Sequence, residues 1–149
     1  DEQYKQVFDV CNNHKNITYH GFQPHDKIVD ALGKAHIFAF PSIWVETSCI
    51  AAIEAMSAKC ITVTNNLGAL PETCANFASM YQYTEDGQKH VNRFASILNN
   101  TIKLMKQENN ISNQLDVQKN YFDNFYSWDF RAKEWGLLLE GMIKDESST

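Results

Sequence analysis

Glu46 and Glu54, with seven residues between them, bracket the start of an apolar run, Cys49-Ile50-Ala51-Ala52-Ile53-Glu54-Ala55-Met56. Carboxylates offer acceptors only, and a vicinal diol offers two donors, so an acid of this kind suits a hydroxylated ligand. The run leaves almost no polar face, which predicts a helix buried all round. Glu54 in that setting must find donors or lose its charge. Thr47 and Ser48, types that favour N-caps, open the predicted helix. The free N–H groups of its first turn, with the positive end of the dipole, make an anion site. Glu46 then lies at the helix mouth and Glu54 about two turns in, roughly 12 Å along the axis. A sugar, a diphosphate and a ribose laid side by side span a similar length.

These groups need a scaffold. An apolar strand ends at Pro41, a loop carries Glu46, the helix follows, and a second strand is predicted over 61–64 before a Gly-containing loop and Glu72. That is a βαβ crossover, and ligands sit at the carboxyl ends of its strands. Upstream, the pattern predicts a helix over 3–12, a strand over 17–19, a loop from His20 to Pro24, a helix over 25–32 and a strand over 36–40. Downstream it predicts a strand over 77–83 and a helix over 88–107 burying Val91, Phe94, Ala95, Leu98, Ile102 and Met105. Asn109-Asn110 is expected to break that helix, and another covers 112–125. Ser127 caps a last helix over 128–143, with Trp128, Ala132, Trp135, Leu138, Leu139 and Met142 on one side. Alternating helices and strands predict one α/β domain over 1–149, a parallel sheet with helices on both faces.

Composition narrows the chemistry. The chain has 149 residues, 44% hydrophobic, and a net charge of −5. Arg93 and Arg131 are its arginines, and no basic stripe appears, which argues against nucleic acid. Cys11, Cys49, Cys60 and Cys74 lack Cys-x-x-Cys spacing, so no metal site is expected, and Cys49 and Cys60 read as small core residues. His20, His25 and His36 suit neither a metal site nor a general-base pair; His20 lies near the end of the predicted 17–19 strand. There is no Walker loop, Gly-x-Gly-x-x-Gly or Asp-x-Asp. Without a signal peptide or long apolar segment, a cytoplasmic protein is expected.

Taken in order, Pro41-Ser42, Glu46, the apolar helix with Glu54-Ala55-Met56, and Gly68-Ala69-Leu70-Pro71-Glu72 resemble the retaining glycosyltransferases of the GT-B fold, of the large nucleotide-sugar-dependent family 4 type. The resemblance runs from about Ile17 to Trp135. It implies a Rossmann-like sheet, the C-terminal half of a GT-B fold lacking its first strands. The acceptor-binding N-terminal domain would be missing or a partner chain, and the fragment alone inactive. By resemblance, Glu54 binds the ribose of a nucleoside diphosphate sugar. Glu46, the catalytic residue, contacts the transferred sugar and stabilises charge at the anomeric carbon. Ser48, Cys49 and Ile50 hold the distal phosphate through backbone N–H groups, and Thr47 beside them is also donor-binding. The Gly21-Phe22-Gln23 loop lines the base pocket, and the Ser127-Trp128-Asp129 helix packs towards the N-terminal domain.

The chain departs from the family pattern where Thr47-Ser48-Cys49 replaces a common Gly-Phe-Gly, Lys59 a helix-ending Gly, and Ala69 a Gly. Glu72 is expected to support the 66–69 loop. The resemblance implies no cofactor and no metal, a glycan or lipid-linked glycan as acceptor, and contact with a membrane surface through the missing part. The reading is transfer of a sugar to a hydroxyl with retention. The alternatives are a non-catalytic nucleotide-binding module, or a subunit of a split transferase.

Overall fold

The computed structural model describes residues 4–107 and 111–146. Three short strands, β1 (Ile37–Phe40), β2 (Ile61–Asn65) and β3 (Ser79–Tyr81), pair in parallel in that order. Ile37 stands opposite Ile61, Phe40 opposite Thr64, and Asn65 opposite Tyr81. Strand side chains alternate between faces. Phe38 and Phe40 therefore share one face, their rings stacked at 5.6 Å, with Thr62, Thr64 and Met80 beside them. Tyr81 points the other way.

Helices cover both faces, as expected. Helix α1 (Lys5–Asn13) and helix α2 (His25–Leu32) precede β1. Helix α3 (Ile50–Ser57) connects β1 to β2 and packs on the Phe38–Phe40 face, burying Ala52, Ala55 and Met56 completely. A one-turn α4 (Leu70–Thr73) leads to β3. Helix α5 (Gly87–Gln107) covers the opposite face, its His90 and Phe94 rings 5.4 and 6.1 Å from Tyr81. Helix α6 (Ile111–Phe125) lies over α3, and α7 (Trp128–Glu146) follows. Asn109 and Asn110 lie outside the described residues.

Helix α3 ends in a Schellman turn. The N–H of Cys60 donates to the Ala55 carbonyl at 2.8 Å and that of Lys59 to the Met56 carbonyl at 3.1 Å. Lys59 itself takes φ 65°. Glycine suits that conformation better. Lys59 sits there paired with Asp116. Helix α6 grips the same end. The Gln118 amide donates 3.0 Å bonds to the Met56 and Cys60 carbonyls, and Phe122, 1% exposed, fills the gap beside Met56.

Several expectations need correction. Residues 17–19 form no strand, because they find no ladder partner among the described residues. β3 is three residues long rather than 77–83. Helix α3 is not buried all round: Ile50, at its first turn, is 68% exposed, and Ala51 is exposed beside it. Helix α5 turns His90 and Thr101 inward and leaves Val91 and Ala95 outside. The His90 ring seats between Tyr81 and Tyr83 and sets that rotation. These corrections do not touch α7, where Trp128, Ala132, Trp135, Leu138, Leu139 and Met142 are all exposed.

Candidate functional site

The loops after β1 and β2 are built as one block. Thr64 Oγ1 donates to the Phe40 carbonyl at 2.8 Å, and Asn65 Nδ2 to the Ser42 carbonyl at 2.6 Å. Asn65 Oδ1 accepts from the Leu67 N–H at 2.9 Å, so one buried amide holds both loops. Gly68, at φ 60°, brings the second loop against the first: a Cβ there would stand 2.6 Å from the Glu46 carbonyl oxygen and 2.7 Å from its nitrogen. That approach lets the Ala69 N–H donate to the Glu46 carbonyl at 2.8 Å. The support expected from Glu72 is therefore supplied by Asn65 and Gly68. Glu72 is exposed on α4, and its carboxylate makes no hydrogen bond among the described residues.

Glu46 is thus fixed through its backbone. Its half-buried carboxylate takes only a long bond, 3.4 Å, from Ser42 Oγ. Ser42 Oγ in turn accepts from the Trp44 N–H at 3.2 Å.

The helix mouth differs from expectation in one respect. Thr47 and Ser48 do not cap α3. The cap residue is Cys49, whose carbonyl accepts from the N–H groups of Ala52 and Ile53, both at 3.1 Å. The helix begins too late for the two hydroxyls to reach its first turn. The N–H groups of Ser48, Cys49 and Ile50 make no hydrogen bond among the described residues. The free donors at this mouth are therefore backbone N–H groups rather than the two hydroxyls. The Cys49 side chain is buried; burial pushes its thiol above the ordinary range, the Ala52 N–H opposes this, and the Glu46 charge adds to it.

Thr47 and Ser48 line a cavity of about 360 Å³ with Glu72, Tyr126 and Arg131. The Arg131 guanidinium stacks on the Phe125 ring at 4.2 Å and pairs with Glu134 at 2.5 Å. Glu54 lines a second cavity of about 510 Å³, whose apolar walls include Val29, Leu32, Ile53 and Phe122. Tyr126 is a wall of both. Glu46 lines neither, and Glu46 and Glu54 share no hydrogen-bond partner among the described residues.

Glu54 is not entombed. Its side chain is 28% exposed, and the donor it requires is His25, whose Nε2 lies 2.6 Å from Oε1. His25 opens α2, directly after the loop of Phe22 and Gln23. Phe22 is 99% exposed; Gln23 turns its amide onto the His20 carbonyl. His25 thus links the start of α2 to Glu54, and no hydrogen bond joins Phe22 or Gln23 to that carboxylate among the described residues. Neither His25 nor Arg131 is marked as a site residue by its sequence context. His25 stands 29 positions from its partner, and no local spacing encodes that contact.

No three His, Cys, Asp or Glu side chains among the described residues gather as a metal ion would require. No helix among them is long and apolar enough to cross a membrane. Residues 1–114 match the sequence profile of the family described as Glycosyl transferases group 1. No curated protein matches the chain.

Proposed function

From the chain's membership of the group 1 glycosyl transferases, which take a sugar from a donor to an acceptor, we propose that it forms the donor-binding part of a retaining enzyme using a nucleoside diphosphate sugar. The observation that carries this reading is the Glu54 carboxylate. One oxygen is held by His25, the other has no partner among the described residues, and the group faces a cavity rather than bulk packing. A ribose diol supplies the two donors such a group can accept. At the mouth of the same helix, the unpaired N–H groups of Ser48, Cys49 and Ile50 take the distal phosphate, which departs in the reaction. Glu46, fixed by Gly68 and Ala69, stands at the end of the block where the transferred sugar would lie, and offsets positive charge at its anomeric carbon.

In this reading no side chain attacks the sugar. The acceptor hydroxyl approaches the face from which the phosphate leaves, and the phosphate helps remove its proton. The protein positions the donor and stabilises charge. The acceptor is a glycan or a lipid-linked glycan, bound by another domain or chain.

Titration of the isotopically labelled chain with UDP, GDP and their sugar conjugates, followed by NMR, tests this. Saturable binding of one base is expected, weakened about tenfold or more in Glu54→Ala through loss of charge-assisted bonds. Equal binding by wild type and Glu54→Ala removes the reading.

A further inference from the structure

We infer that His25 is a positioning residue for the donor nucleoside: it fixes the Glu54 carboxylate and ties it to the Phe22–Gln23 loop, so that ribose and base are recognised together. The inference rests on the donor-binding reading of Glu54 and goes beyond it in naming what orients that carboxylate.

The geometry has three parts. First, His25 is the one hydrogen-bond partner of the Glu54 side chain among the described residues, at 2.6 Å. Without it, a glutamate on a helix flank would sample several rotamers. The carboxylate accepts, so the hydrogen lies on Nε2 of His25, which leaves Nδ1 facing away. Second, the tie does little for the fold. The His25 side chain is 71% exposed. Exposed pairs contribute little to stability. Helices α2 and α3 also contact each other directly, and just past α3 the Cys60 thiol bonds the Leu32 carbonyl at 3.3 Å. Third, His25 is the first residue of α2 and lies two positions beyond Gln23. Gly21, at φ 63°, turns the chain into this loop, and Pro24 limits its freedom just before His25. A shift of the loop therefore moves His25, and through it Glu54.

The tie does not occupy the binding capacity it orients. Two carboxylate oxygens offer about four lone-pair sites. His25 uses one, and a diol needs two. The nucleoside need not displace His25; it meets a carboxylate already aimed.

The test compares wild type, His25→Phe, His25→Gln and Glu54→Ala, titrated by NMR with UDP, GDP and their 2′-deoxy counterparts, with thermal melting in parallel. Phe keeps a ring but has no donor; Gln restores a donor. His25→Phe is expected to bind the preferred ribonucleotide about fivefold more weakly and to lose much of the preference for ribo over deoxy. His25→Gln recovers most of both, and melting temperatures stay near wild type. If Glu54→Ala weakens binding while His25→Phe does not, the positioning role is overturned and the donor reading stands. If Glu54→Ala changes nothing, both fall. If His25→Phe weakens binding with the ribo preference intact, or without rescue by Gln, the effect is structural and the inference is overturned.

Discussion

Helix α3 and helix α7 are both rich in apolar side chains, and the fold treats them in opposite ways. Around α3, the conformation is set by contacts from distant parts of the chain. Ala52, Ala55 and Met56 are fully buried, Gln118 binds the helix end, and Asn65 and Gly68 lock the adjoining loops. Helix α7 is held at its start, where Ser127 Oγ accepts the Phe130 N–H at 3.2 Å and Arg131 stacks on Phe125. Beyond that, Trp135, Leu138, Leu139 and Met142 are each more than half exposed. The first region is determined by tertiary packing, the second by a cap and its own helical tendency. Apolar content alone does not tell a buried helix from an uncovered one.

Four changes break or sharpen that contrast. The largest effect is expected from Phe122→Ala. The ring is 1% exposed and packs beside Met56. Its removal should cost about 4 kcal/mol in urea unfolding. Gly68→Ala comes next, because it combines a positive φ with a Cβ driven into the Glu46 backbone. Its expected cost is about 3 kcal/mol. It should also weaken donor binding more than its loss of stability explains, as Glu46 is displaced.

The third change is alkaline pH. Burial, with a smaller contribution from nearby Cys49, pushes the Cys74 thiol from 9.0 up to about 12. The unfolded chain ionises near pH 9 while the folded protein keeps its proton. Stability is thus full below pH 9 and falls as pH rises towards 12, by about 1.4 kcal/mol per unit for one such group. Cys74→Ala should make that decline shallower in melts from about pH 8 to 11, though Cys49 and Cys60, also raised by burial, keep some of it. The smallest effect belongs to α7. The Trp135 side chain is 62% exposed. Trp135→Ser should therefore change the unfolding free energy by no more than about 0.5 kcal/mol. A loss of several kcal/mol there would show that α7 is packed after all.

Much of the fold is legible in the sequence because its signals are local. The 25–32 helix has the predicted bounds, and the two strands around α3 and the Ser127 cap lie within a residue or two of expectation. Residues 17–19 mislead for a definite reason: strand character is a property of a pair, and three apolar-leaning residues cannot declare a neighbour. The Thr47 and Ser48 cap fails because cap preference identifies residue types, whereas the start of α3 is set by where Ala52 can bury against the sheet. Val91 and Ala95 follow helical spacing but lose the inward face to His90, whose ring fits between two tyrosines.

At the candidate site, the residue types and order of Glu46, Glu54 and the second loop are enough to suggest the family, because a crossover motif lies within one short stretch. The sequence by itself determined the parallel α/β plan, the glycine at position 68, and the acids available at the strand ends. The tertiary structure alone decided that Glu54 is held by His25, that Asn65 joins the two loops, and that Arg131 shares a cavity with Thr47 and Ser48. Those contacts join residues that local spacing does not pair. Their formation depends on which helix faces pack, and packing is a sum over the whole molecule rather than a property of any one segment.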